Sequence, residues 1–340
     1  MRGMILAAGL GTRLRPITHF FAKPAVPFLN IPLLYYSMAL LEKAGVTEFV
    51  INSFYLPEQI HALADQAPGL IKKPVVIDES GAPLGSGGGV WNARCELNNA
   101  SFWLANGDEV ILPRDSGIFE RIQNEHRENQ ALATIVVMEH AGVGTQFGGV
   151  WATPDGDVKG FGKTSSAFPG TVGYHYIGLQ LLDPRVFNYL PEGESNILYD
   201  GLARAILAGE RVQVVVGNFT WFETGNPDDF LEASKQCMEL LRHPTQARGA
   251  DRSFLLRILE RFSEHAKDDN VNWGHSVSES AIVLSASSAQ IDTSVVFNGA
   301  VTVGPGVEIG ADAQVSNSVL LRDAKVLAGS IVKNSIVTSD

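Results

Sequence analysis

The hydrophobic positions open with a short continuous run, Met4 to Leu10, and the chain then turns to glycine, threonine and arginine at Gly9, Gly11, Thr12, Arg13 and Arg15. An unbroken apolar run of that length predicts a strand covered on both faces. Next, Leu34, Met38 and Leu41 recur at helical spacing in PLLYYSMALLEKAG, and Gly45 is a stop signal for that helix. The same alternation continues down the chain: the strand EFVIN, a helix near 57–66, the strand PVVI and a helix near 90–97. The strand SFWLAN, a helix near 117–129 and the strand ATIVVM follow. Strands alternating with helices predict an α/β domain, a mostly parallel sheet covered by helices on both faces. Ligands of such sheets sit beyond the carboxyl ends of the strands. Both AAGLGTR and NGDE fall there.

From Gly148 the pattern changes. GGVWATPDGDVKGF reads as a hairpin turning at Pro154, Asp155 and Gly156, and YHYIGLQLL as a further strand. Amphipathic helices are predicted near Asp228–Leu241 and Ser253–His265, with HPTQARGAD between them as a hinge. The last stretch obeys another period. Ile291, Phe297, Val303, Ile309, Val315, Leu321 and Leu327 recur every six residues, and Val295, Val301, Val307, Ala313 and Val319 form a second such series. A six-residue repeat predicts a short parallel β-helix, whereas a sandwich would alternate with period two. The expected organisation is an α/β domain over 1–241, a linker with helix over 242–270 and the β-helix over 271–340.

Composition narrows the function. At 340 residues, two domains are expected. A net charge of −11 with 26 scattered Lys and Arg argues against a nucleic acid partner but leaves room for a small anion held by a few placed cations. Cys95 and Cys237 lie too far apart in sequence for a disulfide framework or a cysteine-rich zinc site, and the eight histidines contain no i, i+4 pair. No segment reads as a membrane span or an export signal, so a cytoplasmic location and no membrane partner are expected. The opening turn is the strongest candidate chemistry. Glycines let a backbone approach phosphate oxygens, and arginine adds charge-assisted bonds. It is neither a Walker loop nor a dinucleotide fingerprint, since Leu14 stands where a third glycine would be needed.

Taken in order, LAAGLGTRLRPIT, AKPAVPFLNIPLL, NGD, FGGV and WFETGNPDDFLEA resemble the motif series of the sugar-1-phosphate nucleotidylyltransferases, the NDP-sugar pyrophosphorylases, over about residues 1 to 240. The hexapeptide tail is similar to that of members carrying a left-handed β-helix. The resemblance implies that the sheet is Rossmann-like and mixed, and it implies Mg2+ and transfer of a nucleoside monophosphate from an NTP to a sugar 1-phosphate. It places Leu6, Ala7, Ala8, Gly9, Gly11, Thr12 and Arg13 on the nucleotide, with Arg13 on the departing pyrophosphate, Lys23 near the reacting phosphates and Asp108 on the metal. ESGAPLGSGGGV matches the loop over the base, with Glu79, Gly85 and Gly88 in the family's places. Its wording is similar both to guanylyltransferases acting on mannose 1-phosphate and to muramic acid 1-phosphate uridylyltransferases. By that resemblance GTP is expected ahead of UTP, with a mannose 1-phosphate-like acceptor, and a carboxylate at Glu79 could accept from guanine's N1 and N2 donors.

The sugar phosphate side departs from the family. Gly149, Lys163 and Gly178 are the candidates, but Lys163 stands in GFGKTSS rather than Glu-Lys-Pro, and HYIGLQ places Tyr176 and Ile177 beside Gly178. WFETGNP has Glu223 where aspartate is usual, and Asp108 and Glu223 are expected to share the magnesium. These departures keep open a weakly catalytic regulatory homologue that binds nucleotide-sugar. A second, acyl-transferring activity of the β-helix is disfavoured, because that segment is short and offers His275 alone. A homo-oligomer held through the β-helix is expected, since a few coils leave open ends.

Overall fold

The computed structural model describes residues 1–242, 249–265, 274–277 and 280–339. Residues 243–248 of the expected hinge, 266–270 of the expected linker and 271–273, 278–279 and 340 of the expected β-helix lie outside them. The chain forms two compact units, Met1–Leu10 with Ser37–Trp221, and Gly11–Tyr36 with Phe222–Asp340.

The first unit is built on a nine-stranded sheet. Its central strand, Arg2–Leu6, lies parallel to Glu48–Ser53 on one side and Phe102–Asn106 on the other, and Val75–Asp78 extends the parallel part. Met4 and Ile5 point to opposite faces and both are buried, which accounts for a strand with no polar alternation. The sheet becomes mixed at Val172–Leu182, which runs antiparallel to Phe102–Asn106 and to Ala133–Met138. Val212–Val216, a strand without a clear sequence signal, lies parallel to Ala133–Met138. The predicted hairpin, Gly149–Ala152 with Val158–Gly162, joins the sheet at the first residues of Val172–Leu182.

The helices follow their apolar spacing. Leu33–Lys43 ends as the sequence predicts: Val46 N–H donates to the Leu41 carbonyl and Gly45 N–H to that of Glu42, with Gly45 at φ +87°. In Ile118–Glu128, Ile118, Phe119, Ile122 and His126 form the buried face. One helix starts earlier than its apolar pattern suggests. It begins at Gly85, inside the glycine-rich stretch, and runs to Asn92, followed by a separate turn at Arg94–Leu97.

In the second unit the hairpin Pro27–Phe28 and Ile31–Pro32 turns through Leu29 and Asn30, both at positive φ. Phe28 meets Phe230 of the helix Pro227–Arg242 edge to face at 5.5 Å, and Tyr35 stacks on Phe262 of the helix Ala250–His265 at 4.7 Å. The tip of the hairpin is fastened to the C-terminal strands, where the Asn30 side-chain amide donates to the Val303 carbonyl at 3.0 Å.

Those C-terminal strands stack in parallel coils, as the six-residue period predicts. Ile291 lies beside Ile309 and Ala281 beside Gly299, so a full coil is eighteen residues, three sides of six. The period then slips: Ile309 pairs with Val326 and Val319 with Ile336, seventeen residues on. The slip explains the one member of the first series that does not follow it inward. Leu327 is 75% exposed, while its neighbour Val326 is 5% exposed and occupies the core position.

Candidate functional site

The first unit brings the opening strand, the end of the second strand and the base-loop motif together through one buried network. Ala7 N–H donates to the Asn52 side-chain oxygen at 2.8 Å, and the Asn52 amide donates to Glu79 Oε1 at 2.6 Å. Glu79 Oε2 accepts from Leu84 N–H at 2.7 Å. Glu79 therefore fixes the geometry of the loop at its own base, and any ligand donor would share oxygens already in use. Asn52 was not foreseen. Its only sequence signal is a polar residue closing the apolar run EFVIN.

The glycines of the base-loop motif have a packing reason. Ser195 carbonyl accepts from Gly87 N–H at 2.8 Å and from Gly88 N–H at 3.4 Å. A Cβ at Gly85, which sits at φ +70°, would fall 2.6 Å from that same oxygen, and one at Gly88 would strike the Gly193 carbonyl. The loop 193–197 thus lies directly on the start of the helix. Gly9, by contrast, has open space where a Cβ would point.

Asp108 stands two residues beyond the strand Phe102–Asn106, in a turn held by Gly107 N–H donating to the Leu6 carbonyl at 2.9 Å. Glu109 beside it accepts from Trp221 Nε1 at 2.8 Å. Gly178 takes φ +79° at a shift of strand register, and a Cβ there would fall 2.7 Å from the Asn106 amide nitrogen. Gly149 leaves room for the Trp151 ring, which donates to the Gly162 carbonyl at 3.0 Å, and Lys163 next to it is exposed. Four rings gather nearby in the same unit: His175 lies 4.5 Å from Trp221, 4.8 Å from Phe147 and 5.4 Å from His140, centroid to centroid. Burial, and secondly His140, pull the His175 imidazole down to about 4, so it is neutral at pH 7. Phe147, His175 and Trp221 stand in the FGGV, HYIGLQ and WFETGNP motifs, but nothing in the sequence shows that these three segments, with His140 in the loop of Phe147, bring their rings together.

The second unit carries Arg13 and Lys23. Gly11 is left-handed at φ +61°, and its carbonyl accepts from Leu14 N–H and from the Thr18 hydroxyl, which folds the loop back on itself. A Cβ at Gly11 would lie 3.1 Å from Lys23 Cβ, so only glycine lets the Lys23 stem pass. Lys23 is 9% exposed and Arg13 is exposed. Arg13 and Glu223 meet around Gly225: a Cβ there would fall 3.2 Å from Arg13 Nη1 and would strike Glu223 Oε1. Thus Arg13, Lys23 and Glu223 lie in one unit, while Glu79, Gly85, Gly88, Asp108, Gly149, Lys163 and Gly178 lie in the other.

Among the described residues no three His, Cys, Asp or Glu side chains converge as a metal cage. A hard divalent ion that keeps waters and substrate phosphates in its shell needs only one or two protein carboxylates; Asp108 in the first unit and Glu223 in the second are each half-buried. No helix among the described residues is long and apolar enough to cross a membrane.

Residues 2–239 match the family described as nucleotidyl transferase, and residues 280–340 match the one described as GMPPB C-terminal domain. A mannose-1-phosphate guanylyltransferase of Mycobacterium tuberculosis is 24% identical over 333 residues, which covers 97% of this chain and 82% of that protein. A UTP–glucose-1-phosphate uridylyltransferase of Synechocystis is 26% identical over 353 residues, covering 99% and 87%. Among solved structures, HddC from Yersinia pseudotuberculosis shares the fold over 69% of this chain and 98% of its own, with TM-score 0.56 and 23% identity.

Proposed function

Because the chain belongs to the nucleotidyl transferase family, we propose that it transfers a nucleoside monophosphate from an NTP to a sugar 1-phosphate, with GTP preferred to UTP and a mannose 1-phosphate-like acceptor. An oxygen of the sugar phosphate attacks the α-phosphorus in line, the bond from that phosphorus to the bridging oxygen breaks, and pyrophosphate leaves with the electron pair. No covalent enzyme intermediate is required. The observation that carries the reading is the meeting of Arg13 and Glu223 around Gly225, in the unit that also seats Lys23 under Gly11.

In this reading the backbone of Leu6 to Thr12 lies against the nucleotide, Arg13 binds the departing pyrophosphate, and Lys23 stabilises charge at the reacting phosphates. Gly85 and Gly88 hold the loop over the base, and Gly149, Lys163 and Gly178 serve the sugar phosphate. Nucleotidyltransferases of this family generally use a divalent metal; here Mg2+ is proposed, with Asp108 and Glu223 as its carboxylates. Bound there, it would neutralise phosphate charge. The preference for guanine rests on the guanylyltransferase relative, with Glu79 acting through the loop it fixes, and the uridylyltransferase relative is the reason UTP stands second. Assembly as a homo-oligomer through the β-helix coils is part of the proposal, and light scattering at micromolar concentration tests it: a monomer refutes it.

The test of the activity is pyrophosphate release from GTP, UTP, dTTP, CTP and ATP with a panel of sugar 1-phosphates and Mg2+. Turnover with GTP and mannose 1-phosphate above the other pairs is expected. Turnover with UTP ten times that with GTP across the panel overturns the base preference. No pyrophosphate from any pair, together with a saturable thermal shift by an NTP, would make the protein a nucleotide-binding homologue rather than an enzyme.

A further inference from the structure

The C-terminal coils hold both of the segments that follow Lys23 and Glu223. After Glu223 the chain enters the helix Pro227–Arg242, which packs on the strands Val296–Val303 and Gln314–Leu320. After Lys23 the chain is stiff. Lys23–Ala25 form one tight turn closed by Val26 N–H on the Lys23 carbonyl at 3.1 Å, Pro24, Pro27 and Pro32 fix φ, and Leu33 N–H donates to the Val26 carbonyl at 3.1 Å. At the far end stands the two-residue turn of the hairpin, Leu29 at φ +48° and Asn30 at φ +63°. Leucine disfavours that conformation, and Leu29 is 1% exposed, so the turn is held by its surroundings. The Asn30 amide supplies the hold. It donates to the Val303 carbonyl at 3.0 Å and reaches that of Leu284 at 3.5 Å, spanning two neighbouring coils. The Val303 carbonyl also accepts from Ala286 N–H at 2.9 Å, so Asn30 fills its second lone pair.

Resting on the transferase reading above, we propose that Asn30 is a positioning residue for the transfer step: its clasp on the coils sets the Lys23 side chain at the root of the same hairpin, so the β-helix serves the chemistry as well as assembly. The coupling is mechanical. Lys23 is 9% exposed and its stem passes Gly11 so closely that a Cβ there would lie 3.1 Å from its own, which leaves the side chain little freedom apart from the backbone that carries it. A stiff segment passes a shift at its tip on to its root. A displacement of about 1 Å in a group that stabilises a transition state costs up to about a hundredfold in rate. Asn30 itself touches no substrate in this scheme; it acts through Lys23.

The test uses the full chain and three variants. Asn30→Gly keeps the left-handed backbone and removes the amide, while Asn30→Asp keeps the shape and sets a carboxylate against the two carbonyls. Asn317→Gly is the control: Asn317 is also left-handed, at φ +47°, and its side chain accepts from Ala300 N–H at 3.1 Å within the coils. With the NTP and sugar phosphate that the wild type turns over, kcat should fall roughly tenfold in both Asn30 variants, both KM values should stay within about twofold, and Asn317→Gly should match the wild type. Independently of activity, brief treatment with acetic anhydride and peptide mass spectrometry should show Lys23 acetylated several-fold faster in both Asn30 variants, with exposed Lys72, Lys73 and Lys163 unchanged. Loss of kcat in Asn30→Gly alone points to a loosened turn and not a lost donor, and overturns the proposal. So does an equal loss in Asn317→Gly, or unaltered Lys23 labelling, which Asn30→Asp decides if Asn30→Gly does not fold. The wild type gives a reading that needs no variant: in hydrogen exchange under mild urea, Leu33 N–H and Ala286 N–H should open together, and coils that open while the hairpin stays protected overturn the clasp. Turnover with unchanged kcat in both Asn30 variants sinks the clasp alone; no turnover by the wild type with any pair sinks the transferase reading and the role of the clasp in it.

Discussion

Gly85→Ala is the substitution whose cost the structure specifies most closely. Two independent penalties act there. At φ +70° an alanine is left-handed, which costs about 1–2 kcal/mol. Its Cβ would also fall 2.6 Å from the Ser195 carbonyl oxygen, closer than real Cβ contacts come. That oxygen cannot simply retreat, because it already accepts from Gly87 N–H at 2.8 Å and anchors the loop to the helix. Forcing an atom into packed surroundings costs about 1–3 kcal/mol, so the sum is roughly 2–5 kcal/mol. For a unit of this size that lowers the melting temperature by about 4–20 °C. Gly45→Ala is the control: φ +87° imposes the conformational term, but nothing lies within 4 Å of the added Cβ. Calorimetry and urea unfolding of both variants read the difference between them, expected at about 1–3 kcal/mol. If Gly85→Ala unfolds as easily as Gly45→Ala, the close approach of the loop 193–197 to the glycine helix is wrong, and with it the packing reason for that motif.

Three further outcomes are expected. His126, buried and bonded to the Thr134 hydroxyl at 2.9 Å, has its imidazole pulled down to about 4 by burial. The folded state then binds this proton less well than the unfolded chain, so its contribution is complete above about pH 6.5 and is lost as pH falls toward 4, by at most about 3 kcal/mol. Urea midpoints from pH 7 to 5 should fall less steeply in His126→Leu than in the wild type, and an equal slope refutes the assignment. In the C-terminal coils, Leu327→Arg should leave the unfolding midpoint within about 0.5 kcal/mol, whereas Val326→Ala should cost about 1–2 kcal/mol; the reverse order in denaturant titrations would contradict the one-residue slip. Asp108→Asn should abolish most pyrophosphate release while the circular dichroism melt is preserved, Glu223→Gln should raise the magnesium requirement, and Glu223→Asp should remain active. Near-normal turnover of Asp108→Asn at limiting magnesium removes Asp108 from the metal site.

What the sequence determined by itself was everything with a short period. Burial repeats every two residues along a strand, every 3.6 along a helix and every six along the coils. The central strand, the helix ending at Gly45 and the stacked C-terminal strands are therefore written in neighbouring residues. The opening turn, Lys23, Asp108 and Glu223 were also singled out in the sequence, because each belongs to a contiguous motif. Tertiary structure alone decided the partnerships between distant segments. It turned Glu79 into one end of a chain reaching Ala7 through Asn52, set Ser195 against the glycine helix, and surrounded His175 with rings from two other segments. It also decided where a periodic rule ends, since a coil shortened from eighteen residues to seventeen moves Val326 inward and Leu327 outward. The physical reason is the same in each case. A residue's period is a property of its own element, while its hydrogen-bond partner is chosen by how elements far apart in the chain are brought together.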